Sequence, residues 1–427
     1  MKFNKWTLGL AAVGAVSLAS AARADEKMNS LQTALSDTTI SGYVSASANW
    51  AITPGGGLNQ RSLAGFIPYQ GQFTQSGTPS KQDGFNLDVV KLTIAKPEDE
   101  SPWASGYQVD LLFGPDAVNY NASANAVGGQ SQQHFSNENG ADFAIKQAYV
   151  TLRTPVGNGI DWKIGVFDTI IGYEVFDAGS NPNYTRSWGF FLEPTEHTGI
   201  LASYKVNDEW SFSAGVANTL MAGINARNNE SGFSNGEGSD WHKTLMGSVT
   251  FTAPSSWGWA AGSSIYSGFV YGFNGSTVGT GGAGGASNNY TGNYYFGTTM
   301  NTPWKKLTTG LAFDYVQHPN LGGGPARIDV WDLGLYATFK ATDKLSFSGR
   351  AEYLEAWSTA AGASSSFNPD WMELTATVEY DLWANVMTRV ELRWDHVIDN
   401  LGTVEDTFDT GLKRTSLGLY ANVIYKF

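Results

Sequence analysis

Ile40-Ser41-Gly42-Tyr43-Val44-Ser45-Ala46-Ser47-Ala48-Asn49-Trp50 alternates residue by residue: Ile40, Val44, Ala46, Ala48 and Trp50 share one parity, and Ser41, Tyr43, Ser45, Ser47 and Asn49 the other. Successive side chains of a strand point to opposite faces, so this stretch reads as a strand apolar on one side and polar on the other. No i, i+3, i+4 stripe fits it. The pattern recurs to the C-terminus. Trp210, Phe212, Ala214 and Val216 alternate with Ser211, Ser213 and Gly215, and Met372, Leu374, Ala376, Val378 and Tyr380 oppose Glu373, Thr375, Thr377 and Glu379. Leu417, Leu419, Ala421, Val423, Tyr425 and Phe427 do the same in the last segment. Between Phe85 and Lys96 the parity switches near Val89-Val90, which predicts a bulge or a change of register.

Carried through the chain, the pattern predicts sixteen strands, at 39–51, 85–96, 105–113, 142–153, 160–167, 197–205, 210–219, 243–252, 257–272, 289–301, 307–316, 327–340, 345–357, 370–381, 386–397 and 414–427. Short and long links alternate strictly between them. A soluble sandwich would show two-faced strands without that alternation. A transmembrane up-and-down antiparallel β-barrel shows both, with short periplasmic turns and long outer loops. Strands of about 9–11 residues cross a bilayer when tilted, and closure leaves no unpaired edge in lipid. The expected class is therefore all-β, an outer-membrane barrel of about sixteen strands. Trp50, Trp162, Trp210, Trp257, Trp259, Trp331, Trp394, Tyr425 and Phe427 lie on the apolar parity, where an interfacial girdle belongs.

Composition narrows the function classes. The 427 residues include 50 Gly and no Cys, and 15% are charged. Without Cys there is no disulfide scaffold, iron–sulfur cluster, thiolate zinc site or Cys nucleophile. The net charge of −13 disfavours nucleic acid, whose nonspecific binding depends on Lys and Arg. Lys2 and Lys5, the mostly apolar stretch from Trp6 to Ala19 and the Ala22-Arg23-Ala24 triplet read as a signal peptide over 1–24, cleaved between Ala24 and Asp25. Residues 25–38 would be a periplasmic N-terminal leader, and 39–427 the barrel.

One stretch points to a family. It comprises Gln147-Ala148-Tyr149-Val150-Thr151-Leu152, Thr154-Pro155-Val156-Gly157, Gly165-Val166-Phe167-Asp168-Thr169, Ile171-Gly172-Tyr173-Glu174, Asn181-Pro182-Asn183-Tyr184-Thr185-Arg186-Ser187 and Glu193-Pro194-Thr195-Glu196-His197-Thr198-Gly199. These motifs resemble the putative beta-barrel porin-2, OmpL-like family, and Ile40-Ser41-Gly42-Tyr43-Val44 is similar to the start of its barrel. The resemblance implies an outer-membrane pore and says little about cargo. The aromatic terminus at Tyr425 and Phe427 resembles the signal read by the barrel assembly machinery.

If the apolar parity meets outer-membrane lipid, the other lines an aqueous bore, because sixteen strands leave a channel. The candidate lumen wall is Lys163, Arg350, Glu373, Glu379, Arg389, Glu391, Arg393 and Asp395, with charges expected to stay hydrated. Arg389, Glu391, Arg393 and Asp395 form a ladder that reads either as a transverse field or as a salt-bridged wall. The third long link, 168–196, is the candidate constriction, as in the general porins this architecture resembles; an outer cap is the other reading. It carries Asp168, Tyr173, Glu174, Asp177, Arg186, Glu193 and Glu196, and its carboxylates are expected to meet Arg350, Arg389 and Arg393. Tyr184, Trp188, Phe190 and Phe191 could stack sugar rings or merely pack the loop. The five His show no metal spacing, no catalytic constellation stands out, and no cofactor is called for. The Gly run 279–285 lacks the Lys-Ser/Thr of a phosphate loop. The expected function is passive diffusion of small hydrophilic solutes and ions. The alternative is a plugged structural or adhesive barrel, and the pattern leaves a homotrimer open.

Overall fold

A computed structural model describes residues 37–52, 81, 84–120, 142–220, 224–225, 243–273, 290–319, 327–359, 370–398 and 415–427. The signal peptide expected over 1–24, its expected cleavage site at Ala24 and Asp25, residues 25–36 of the expected leader and the interiors of most long links lie outside these residues. Sixteen strands form one antiparallel sheet: β1 (Thr39–Ala51), β2 (Gly84–Lys96), β3 (Ser105–Gly114), β4 (Asp142–Thr154), β5 (Ile160–Asp168), β6 (Glu196–Lys205), β7 (Trp210–Ala217), β8 (Thr244–Thr252), β9 (Ser264–Phe273), β10 (Tyr290–Asn301), β11 (Leu307–Pro319), β12 (Arg327–Lys340), β13 (Leu345–Thr359), β14 (Asp370–Trp383), β15 (Val386–Val397) and β16 (Thr415–Lys426). Each pairs with its neighbours in sequence, and β1 pairs with β16 to close the barrel. The seam runs from Tyr43 opposite Lys426 to Ala51 opposite Gly418. It ends with Gly42 and Phe427 exchanging backbone hydrogen bonds of 2.9 and 3.0 Å.

The apolar parity faces outward. Phe212, Leu374, Val390 and Leu392 are exposed while Glu373, Thr375, Glu391 and Arg393 are buried. A water-soluble protein would have the reverse; a barrel in hydrocarbon requires this arrangement. Tyr425 and Phe427 are half exposed on the outside at the short-turn end.

Two bulges add charges to the lumen. Between Ser45 and Ala46 of β1 the partner strand skips Asp88, so Asp88 and Val89 both turn inward. Between Asp110 and Leu111 of β3 the register skips Lys146, and Lys146 and Gln147 are both buried. The parity switch near Val89 predicts the first bulge to within a residue or two; the second, where parity switches from Phe143 and Ile145 to Ala148 and Val150, goes unpredicted. One expected strand is too long. β9 begins at Ser264, and Ser255–Ala260 form a 3-10 turn in which Gly258 takes φ +62°. Trp257 and Trp259 therefore sit exposed on a turn and are not strand residues.

Candidate functional site

The segment between β5 and β6 lies inside the barrel. β5 ends at Asp168 and β6 starts at Glu196, opposite one another in register, so these two candidates belong to strands and the free segment is 169–195. Local chemistry folds it. The Asn181 side chain accepts from the Val175 amide at 2.8 Å and donates to the Val175 carbonyl at 2.7 Å, a double role that needs a carboxamide. Ser187 caps the short helix α1 (Trp188–Leu192) by accepting from the Phe190 amide at 3.0 Å. The Arg186 guanidinium points back into the segment, donating to the carbonyls of Phe176 at 2.6 Å and Tyr184 at 3.1 Å and lying over the Phe190 ring.

The wall charges hold this segment. Glu391 on β15 accepts from the amides of Tyr184 and Thr185 at 2.5 and 2.9 Å. Arg389 donates to the carbonyls of Asn181 and Asn183, each at 3.1 Å. Arg393 donates to the Arg186 carbonyl at 2.6 Å and pairs with Asp395 at 2.8 Å. Arg350 on β13 bonds Glu174 and the Thr185 carbonyl, both at 2.8 Å, and pairs with Glu373 at 3.2 Å. Glu352 accepts from the Trp188 amide at 2.9 Å. Arg350, Glu373, Arg389, Glu391, Arg393 and Asp395 are each at most 2% exposed, which corrects the expectation that they stay hydrated. A chain segment rich in unpaired amides and carbonyls has entered the bore, and these side chains satisfy them.

Only one loop carboxylate, Glu174, meets an arginine of the wall. Asp177 reaches across to Lys91 on β2 at 2.9 Å and accepts from the Tyr43 hydroxyl at 3.2 Å. Burial opposes its charge, but Lys91 prevails and holds the Asp177 carboxyl below the usual range. Glu193 meets carboxylates, Asp314 on β11 above all, and burial and that neighbour push it well above the usual range. Its carboxylate rests against Gly172, where φ is +117° and an added Cβ would lie 2.2 Å from Oε2. Ile171 packs on β9 at Gly268, seven strands round the barrel from Lys91 on β2, and Tyr173 stacks on Tyr336 of β12, the register partner of Arg350, at 4.0 Å. The segment thus touches wall on both sides.

The remaining candidates lie apart. Lys163 sits over the Tyr149 ring at 4.8 Å. Asp168 pairs with Lys146. The Glu196 carboxylate is fully buried with no hydrogen-bond donor among the described residues. Glu379 is half buried and lines a cavity of about 280 Å³ with Tyr173, Ser180 and Ser348. Tyr184, Trp188 and Phe190 are buried against the wall, which removes them as a sugar-stacking surface; Phe191 remains partly exposed. Sequence reasoning missed Lys91 and the two bulge residues as lumen charges. Asp88 accepts from Ser45, Ser47 and Tyr184.

The family described as putative beta-barrel porin-2, OmpL-like matches residues 37–427. The chain belongs to this family. Among curated proteins none matches it. This OmpL-like porin is similar in structure to the loop-L8 deletion mutant of OmpT from Vibrio cholerae (TM-score 0.53, 12% identity, covering 91% of this chain and 99% of that one). It is also similar to the outer-membrane channel DcaP of Acinetobacter baumannii (0.53, 12%, 91% and 97%) and to an anion-selective porin from Comamonas acidovorans (0.54, 11%, 91% and 99%). At such identities the neighbours show the fold. Family and fold together make this a channel-forming protein of the outer membrane, a channel rather than an enzyme.

Proposed function

We propose that this porin passes small hydrophilic solutes and ions by passive diffusion, and that segment 169–195 inside the bore sets the width of the passage. The observation that carries the reading is the row of bonds from Arg350, Arg389, Glu391 and Arg393 to the backbone of residues 181–186. A segment tied to the wall at mid-bore narrows whatever space remains. The wall charges act as its anchors. The chain carries a formal net charge of −13, so cations are the favoured ions. That is the opposite of the preference named for the Comamonas acidovorans neighbour. The proposal also includes signal-peptide cleavage after Ala24, recognition of Tyr425 and Phe427 by the assembly machinery, and a trimer, the form of one Vibrio cholerae OmpT structure.

Planar-bilayer recording in a salt gradient tests it. Stepwise currents with a cation-selective reversal potential are expected. Silent insertions would favour the plugged structural barrel, and an anion-selective potential would contradict the charge argument.

A further inference from the structure

Four carboxylates converge where the end of the inner segment meets the wall. Asp314 on β11 and Asp332 on β12 are register partners, both pointing inward. Glu352 on β13 lies beside Asp332, and Glu193, whose amide bonds the Gly189 carbonyl at 3.2 Å, comes up against Asp314 from the segment. Neither oxygen of Asp332, nor Oδ2 of Asp314, meets an N–H or O–H donor among the described residues. Gly189 lies close above them: an added Cβ would sit 2.7 Å from Asp314 Oδ2 and 3.2 Å from Asp332 Oδ2. Two arginines act on the group: Arg350, shared with Glu174, Glu352 and Glu373, and Arg393, which acts on Glu352 while paired with Asp395. Tyr336 faces the group from β12, Tyr295 from β10 and Tyr266 from β9. None of these tyrosines supplies a positive charge. Among the described residues no acidic or histidine cluster is arranged to hold a metal ion.

Two carboxylates in contact in a dry site repel unless a proton lies between them. We propose that Glu193 and Asp314 form a proton-dependent latch, closed by a proton shared between them and opened when that proton is lost, which releases the 188–193 end of the segment from the wall. This inference rests on the reading that the segment controls the bore. No covalent bond changes; the carboxyl O–H proton passes to water. The sign follows from Glu193, whose acidity is weakened by burial and then by the Asp314 charge. A carboxyl with a raised pKa in the latched form stabilises that form fully at acid pH, and loses that contribution as pH rises from the ordinary carboxylate range through the raised value. Glu174 and Arg350, already joined at 2.8 Å, keep the neighbouring part of the segment attached throughout.

The test is macroscopic conductance of the intact porin in planar bilayers between pH 5 and pH 9, with chelator present. Conductance of the native chain should rise at least two-fold with pH. Glu193→Gln, whose amide donates a hydrogen bond without a titrating proton, should flatten the curve at the low level, and Asp314→Asn should do the same if the first variant assembles poorly. Asp208→Asn, on an exposed turn, should follow the native curve. A native curve flat in pH, or a Glu193→Gln curve rising like the native one, overturns the latch. A rise that vanishes when calcium replaces the chelator at pH 9 would assign the site to a divalent cation instead and also overturn it. Should the Arg350→Ala protein still conduct differently from the native one, only the latch has failed; should it conduct identically, the control of the bore by the segment has failed as well.

Discussion

Arg350→Ala is expected to carry several-fold more current per open channel than the native protein, with greater noise in the open level. The guanidinium joins the inner segment at Glu174 and at the backbone of Thr185 and Arg186, and balances Glu352 and Glu373 on its own wall. Removing one partner of a buried ionic network leaves charge uncompensated and costs about 3–5 kcal/mol. At about 1.4 kcal/mol per tenfold, that loss shifts the attached-to-detached ratio of the segment by roughly two to nearly four orders of magnitude. The barrel itself, held by backbone ladders, should still assemble and show heat-modifiable migration. Arg350→Lys should fall between the two, because an ammonium keeps the charge and loses the planar fork. An unchanged conductance in an assembled Arg350→Ala protein would mean that the permeation path avoids the segment.

The second large effect concerns closure. Gly42, in the Ile40–Val44 motif, lies where a Cβ would meet the Lys91 carbonyl at 2.1 Å and the Phe427 ring at 2.8 Å. It also exchanges both backbone hydrogen bonds with Phe427, the last residue of the seam. Gly42→Val must push β1 away from β2 or from the C-terminal residue, and overpacking of this kind costs about 1–3 kcal/mol even where neighbours can move. Here the nearest atom belongs to the backbone, so the cost falls on strand pairing at the point where the sheet closes. The expected result is loss of most of the folded, heat-modifiable band in outer-membrane fractions, with Gly42→Ala affected less. Native-level assembly of Gly42→Val would show that the end of the seam is not needed for closure.

Much of this was legible in the sequence because a strand reports its faces directly. Trp210 to Val216 and Met372 to Tyr380 show which side meets lipid, and the alternation of long and short links shows how the strands are joined. Alternation says nothing about what fills the bore. Arg389, Glu391 and Arg393 are equally consistent with a wet wall and with anchors under a loop; the unpaired amides and carbonyls of residues 181–186 decide between them. The Asn-Pro-Asn-Tyr-Thr-Arg-Ser motif carries the contact, but seven of its bonds to the wall run through backbone atoms, which leave no mark on residue type. Lys146 went unpredicted although the apolar parity switches there, from Phe143 and Ile145 to Ala148, Val150 and Leu152.

The absence of cysteine makes the most direct measurement of the central claim a clean one. The Asn183 side chain in the inner segment donates to the Thr377 hydroxyl on β14 at 2.7 Å. With Asn183→Cys and Thr377→Cys together, mild oxidation of the assembled protein is expected to join segment to wall by a disulfide. The oxidised channel should conduct no more than the native one and lose its slow current fluctuations, which reductant restores. A folded double variant whose two thiols stay unjoined under oxidant, and remain open to water-soluble thiol reagents, would show that the segment does not lie across the bore.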